Sequence, residues 1–149
     1  VEKIIRMLTE MSLNEIIEHD EIKARLDPIL KQHWETVETI KQRAVYDRGV
    51  VYFDLVGTGI EGYNKFVPYY FYPETTYVVS LSQSCFRTKI SVGSNPWAPR
   101  PRTHNIAELC EKYGGGGHAV VGAVSLPPDS ADLARQYAIE IIETLRFSE

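Results

Sequence analysis

Apolar residues in the first third of the chain recur at steps of three and four: Ile4, Leu8 and Met11, then Ile22, Leu26, Ile29, His33, Val37 and Ile40. That is the period of a helix with one buried stripe. Ser12 followed by Glu15 has the form of a capping box, and Asp27 before Pro28 reads as an N-cap followed by a ring suited to the first helical position. These marks predict three helices, over about 2–11, 13–25 and 28–44.

From Val50 the period changes. Val50 to Val56 is nearly continuous in β-branched and aromatic residues and is bounded by glycines, which predicts a buried strand. A short aromatic-rich helix at about 63–70 must end before Pro73, and strands at about 76–82 and 86–93 flank a Ser82-Gln83-Ser84 turn, as in an antiparallel hairpin. Pro96, Pro99 and Pro101 hold residues 94–102 as an extended loop, after which Asn105 caps a helix carrying Ile106, Leu109, Cys110 and Tyr113. Gly114 to Gly117 end that helix, a strand follows at 119–126, and Ser130 caps a last helix striped with Ala134, Ala138, Ile141 and Leu145. The fold predicted is α/β, a mixed sheet with helices on both faces, preceded by N-terminal connecting helices. The boundary falls between a helical linker region, 1–46, and a sheet domain, 47–149.

Composition narrows the function. A chain of 149 residues, 44% hydrophobic and 24% charged, has the size of one compact domain, and a net charge of −4 excludes a polycation that coats duplex DNA or anionic membrane. Any anion site must be local. No apolar run reaches the length of a bilayer-spanning helix, and Glu2, Lys3 and Arg6 interrupt the first isoleucines, so neither an anchor nor a signal peptide is expected and the compartment expected is cytoplasmic. The start at Val1, within a helical pattern, suggests a piece of something longer. Cys85 and Cys110 lack the spacing of a zinc knuckle or redox pair and are expected to be buried free thiols.

The candidate chemistry centres on Gly114-Gly115-Gly116-Gly117-His118. One glycine is explained by the left-handed residue that closes many helices; four together suit backbone that must approach something closely. Amides in such a stretch can hold a phosphate, and His118 beside them can donate a hydrogen bond or a charge. Between residues 83 and 118 five basic residues against two acidic ones give +3, leaving −7 for the rest of the chain. Within that segment Arg100 and Arg102 lie on the proline-stiffened loop, placed either to meet a phosphate or as ordinary solvated surface. Ser94 and Asn95 follow directly on a strand, where polar groups often meet ligands, although Asn95 can equally serve its own turn. The aromatic cluster Tyr63, Phe66, Tyr69, Tyr70, Phe71 and Tyr72 suits core packing or, alternatively, base stacking. Glu18-His19-Asp20 has the wrong spacing for a metal site on a helix.

The run Asn105 to His118, with the strand Lys89-Ile90-Ser91-Val92-Gly93-Ser94-Asn95 before it, resembles the DHHA1 domain of DHH-family phosphoesterases. The matching motif spans about 87–126, and the element order from about 50 to 146 is similar as well. The resemblance implies a division of labour. An N-terminal DHH domain of the same full-length protein holds manganese, while the DHHA1 domain grips the substrate's phosphate through Gly114, Gly115, Gly116, Gly117 and His118, with Ser94 matching the serine of the family's Arg-Ser pair. The arginine of that pair is Gly93 here, so either the substrate differs or Arg100 and Arg102 supply the charge. Ala119-Val120-Val121-Gly122-Ala123 departs from the nanoRNase branch and stands nearer the exopolyphosphatase-like members.

The function expected is therefore substrate binding for a manganese-dependent phosphoesterase acting on short oligonucleotides, phosphorylated nucleotides or polyphosphate. Catalytic residues and metal ligands are expected outside this chain, which alone should be inactive. The expected partners are a phosphorylated small molecule or a short single-stranded oligonucleotide and the DHH domain, with no membrane; a homodimer is left open. The alternative is a non-catalytic module that binds nucleotides or single-stranded nucleic acid.

Overall fold

The computed structural model describes residues 2–147. Up to Thr36 the chain forms one compact unit, and from Val37 on it forms another. The first is helical, with α1 (Glu2–Glu10), α2 (Leu13–Glu18) and the start of α3 (Asp20–Arg43). The predicted capping box is present: the Ser12 hydroxyl accepts from the Glu15 N–H, and the Glu15 carboxylate accepts from the Ser12 N–H at 2.8 Å. The break expected at Asp27-Pro28 lies instead at His19. Its backbone is extended, its carbonyl accepts from Ile22 and Lys23, and its Nδ1 accepts from Glu21. With that start secured, α3 continues through Pro28, giving up only the bond a proline cannot donate.

The second unit is built on a six-stranded sheet of β1 (Val45–Asp47), β2 (Val50–Asp54), β3 (Tyr77–Gln83), β4 (Thr88–Ser94), β5 (Gly116–His118) and β6 (Val121–Leu126), in the order β1-β2-β3-β4-β6-β5. Only β2 and β3 run parallel, joined by a crossover containing α4 (Val67–Phe71). The β3–β4 hairpin is antiparallel as predicted, and Cys85, on its turn, is exposed rather than buried. Cys110 is buried, which pushes its thiol up to about 11.

Period-two alternation sorts the strands into two faces. Val50, Tyr77, Val79, Leu81, Ile90, Val92 and Val124 meet α5 (Ile106–Glu111) and α6 (Ala131–Leu145) through Ile106, Leu109, Ala138, Ile141 and Leu145. On the opposite face Val51, Phe53, Leu55 and Val78 pack with Ile40 from the end of α3 and with Tyr63, Val67 and Tyr69. Helices thus lie on both faces of a mixed sheet.

Local differences from the expected elements have local causes. β2 stops at Asp54 because its carboxylate accepts from the Val56 N–H at 2.8 Å and starts the turn through Gly57 and Gly59. α4 begins at Val67, not at 63, because Asn64 first makes a turn by accepting from the Phe66 N–H. Asn105 caps α5 as predicted, whereas the Ser130 side chain makes no capping bond to α6.

Candidate functional site

The glycine run divides into two parts. Gly114 ends α5 with φ +75, and its amide bonds the Glu111 carbonyl at 3.0 Å; the Gly115 amide bonds the Cys110 carbonyl at 3.0 Å. A Cβ on Gly115 would stand 2.2 Å from the Ala123 carbonyl oxygen, so this glycine lets the end of α5 press against β6. These two residues belong to the architecture, and their amides are already occupied.

Gly116, Gly117 and His118 form β5, an edge strand, in register with Ala123, Gly122 and Val121. In an antiparallel edge strand alternate N–H and C=O groups point away from the partner, so part of the β5 backbone is free to bind. Gly117 has φ +154, and a Cβ there would meet the Val121 carbonyl at 2.3 Å. A Cβ on Gly116 would meet nothing within 4 Å.

That open space belongs to a cavity of about 650 Å³ above β4, β6 and β5. Its floor follows from the register. Gly93 pairs with Val121, which pairs with His118; Ser91 pairs with Ala123, which pairs with Gly116; and Lys89 pairs with Ser125. Small side chains at alternate positions leave this part of the sheet uncovered. The roof is the loop before α4, where the Tyr63 hydroxyl meets the Ser80 hydroxyl at 2.8 Å and Lys65 stands over the Tyr63 ring at 4.0 Å. Burial pushes the Tyr63 phenol up to about 12, so it stays neutral. Phe66 lies at the same wall, edge-on to Trp97 at 5.5 Å.

Of the residues expected to bind phosphate, the structure brings Ser94, Gly116, Gly117 and His118 to this cavity. The Ser94 hydroxyl and amide both donate to the Val120 carbonyl, tying the end of β4 to the turn after His118. Asn95 is buried and structural: its amide nitrogen donates to the Thr75 carbonyl at 2.9 Å, and its oxygen accepts from the Trp97 N–H. Arg100 and Arg102 are not in the cavity wall. Arg100 lies over the Phe147 ring and Arg102 donates to the His104 carbonyl at 2.8 Å. The space a side chain at Gly93 would need is taken: a Cβ there would lie 2.8 Å from the Tyr69 hydroxyl.

Two cations line the cavity: Lys89, counted in the local basic excess but not singled out, and Lys65, which sequence reasoning passed over. Among the described residues no aspartate or glutamate lines it, and neither lysine has a carboxylate partner. The signal for Lys89 was in the strand, where Lys89, Ser91 and Gly93 alternate with Ile90 and Val92. Among the described residues no group of three His, Cys, Asp or Glu is placed to hold a metal ion. None of the described helices is long and apolar enough to cross a membrane.

No family model and no curated protein matches the chain. Among solved structures the chain is similar to a pGpG-specific phosphodiesterase, PggH, from Vibrio cholerae: TM-score 0.79 and 26% identity over 96% of this chain. A DHH domain described as a member of the S1p family of ribosomal proteins matches 85% of the chain at TM-score 0.51 and 12% identity, a likeness of fold alone. The chain spans 49% of the Vibrio protein and 34% of the second. The architecture is an α/β fold with a six-stranded mixed sheet, consistent with a DHHA1-like fold and similar to about half of a phosphodiesterase.

Proposed function

We propose that this chain is the substrate-binding part of a phosphoesterase and that the cavity above β4, β6 and β5 receives the phosphorylated end of a short nucleotide chain. The observation that carries the reading is the cavity wall. It joins His118 and the glycine edge of β5 to two lysines with no carboxylate among them, on a fold similar over 96% of the chain to part of a phosphodiesterase. Fixed donors that meet a phosphate orient it and offset its charge, which is what a hydrolase needs from a domain that does not itself supply the nucleophile. The nucleophile, and the manganese that the family resemblance implies, would come from a domain outside these residues. Short oligonucleotides, phosphorylated nucleotides and polyphosphate all present the required group, and pGpG, named for the Vibrio protein, is the first compound to try.

Isothermal titration tests this. pGpG should bind the folded chain, and His118→Ala should weaken binding about tenfold, the range of one charge-assisted hydrogen bond. Absence of binding to the wild type would remove the reading. A second reading, a non-catalytic nucleic-acid module, has its own support in the exposed rings of Phe66, Trp97 and Tyr70. It predicts affinity that grows with strand length and is lost in Tyr70→Ala, while His118→Ala changes little.

A further inference from the structure

Resting on the phosphate-binding reading above, we infer that the hydroxyl of Tyr69 is a ligand-binding group, a neutral donor that holds the same phosphoryl group as His118. Three tyrosines, one before α4, one within it and one at its end, differ in what their hydroxyls meet. Tyr63 bonds the Ser80 hydroxyl at 2.8 Å and Tyr72 donates to the Ala44 carbonyl at 3.4 Å, whereas among the described residues the Tyr69 hydroxyl has no hydrogen-bond partner. Its ring is not loose: it packs against the cluster of Ile40, Val51, Phe53, Leu55 and Val78 and lies in the cavity wall. Phenylalanine would make that core contact without leaving a polar group unpaired, so the hydroxyl is explained by what enters the cavity.

The sheet leaves the space that this hydroxyl occupies. A Cβ on Gly93 would lie 2.8 Å from it, so the hydroxyl sits where a side chain of β4 would begin. Gly93, Val121 and His118 form one row across three strands, and paired residues present their side chains on one face. Tyr69 and His118 therefore stand at the two ends of this row, with Val121 as the floor between them. Two strand spacings put about 10 Å between the ends, and a phosphate bonded from both sides at about 2.8 Å needs donors about 8 Å apart. The imidazole has only to lean inward by about 2 Å to close that difference. Burial pushes the Tyr69 phenol above its usual range, so it keeps its proton and can donate at neutral and mildly alkaline pH. Such a donor opposite His118 fixes where the phosphate sits without adding to the charge that Lys65 and Lys89 bring to the cavity.

The test is calorimetric titration of pGpG into the wild-type chain, Tyr69→Phe, His118→Ala and the double variant, with a urea melt of each. Tyr69→Phe should bind about fivefold more weakly, the range of one neutral hydrogen bond, with an unfolding midpoint equal to that of the wild type or higher. In the His118→Ala background, where the phosphate is no longer held from the other side, the same substitution should weaken binding by under about twofold, because two groups that share one phosphate do not act additively. Wild-type affinity in Tyr69→Phe, or a loss of affinity accompanied by a lower midpoint, would overturn the inference. So would the same fivefold loss in both backgrounds. Each of these results leaves the phosphate-binding reading standing, whereas a folded wild type that does not bind would overturn both.

Discussion

The two faces of β4 present opposite chemistry. Ile90 and Val92 point into a core closed by α5 and α6, where no solvent remains, while Lys89, Ser91 and Gly93, one step along the same strand, line an open cavity. The difference lies in what covers each face. Leu109, Ile141 and Leu145 fill the space over the first, and the second is left to a loop carrying Tyr63, Lys65 and Phe66. Stability and binding should therefore separate by alternate residues.

The largest effect belongs to the closed face. Ile90→Ala should lower unfolding free energy by about 2–5 kcal/mol in urea melts, as large-to-small core changes do. Gly115→Ala comes next, at about 1–3 kcal/mol, because its methyl would press on the Ala123 carbonyl. Its neighbour sharpens the contrast: Gly116→Val faces open space and should leave the melting midpoint nearly unchanged while weakening a phosphorylated dinucleotide tenfold or more, about 1.4 kcal/mol. If Gly116→Val unfolds the protein or binds normally, the division between the two glycines is wrong.

A smaller effect follows from Lys65. Its surroundings favour the neutral amine, with a pKa of about 8 in the free protein, and a bound anion favours the charged form. Raising the pH from about 7 to about 9 should weaken dinucleotide binding in the wild type and much less in Lys65→Gln, which isolates this group from Lys89, Tyr63 and His118. The contribution to folding has the opposite sense. Because the unfolded chain holds the proton up to about 10.5, stability from this group rises with pH between about 8 and 10.5. The smallest effect is none: Arg100→Gln, stacked on Phe147 away from the cavity, should leave binding as it was.

Much of this was legible in the sequence where the information is local. Ser12 with Glu15, Asn105 before α5 and the apolar stripe of α6 were readable from a few neighbouring residues, and the structure forms those elements. Pro28 misled because its ring suits a helix start, while the stronger start lay in His19, whose ring and carbonyl both accept from α3. β1, with three residues, is too short to show a period and exists through its pairing with β2.

The site was half legible. Of the glycines beside a histidine, the structure sets Gly116 and Gly117 at the cavity, but dividing the run needs the approach of β6 to Gly115 and the emptiness beside Gly116, both long-range facts. Arg100 and Arg102 looked apt because they follow prolines; Arg100 makes a tertiary contact with Phe147 and Arg102 a local bond to the His104 carbonyl. Lys65 sits among aromatics 24 residues before Lys89, and only the fold brings the two to one cavity.

The most direct measurement is an amide chemical-shift titration of the isotopically labelled chain with a 5′-phosphorylated dinucleotide. Saturable shifts should centre on Gly116, Gly117, His118, Ser91 and Lys65, with Gly114, Arg100 and Arg102 nearly still. Shifts centred on the Arg100–Arg102 loop, or no shifts at all in a folded sample, would contradict the account.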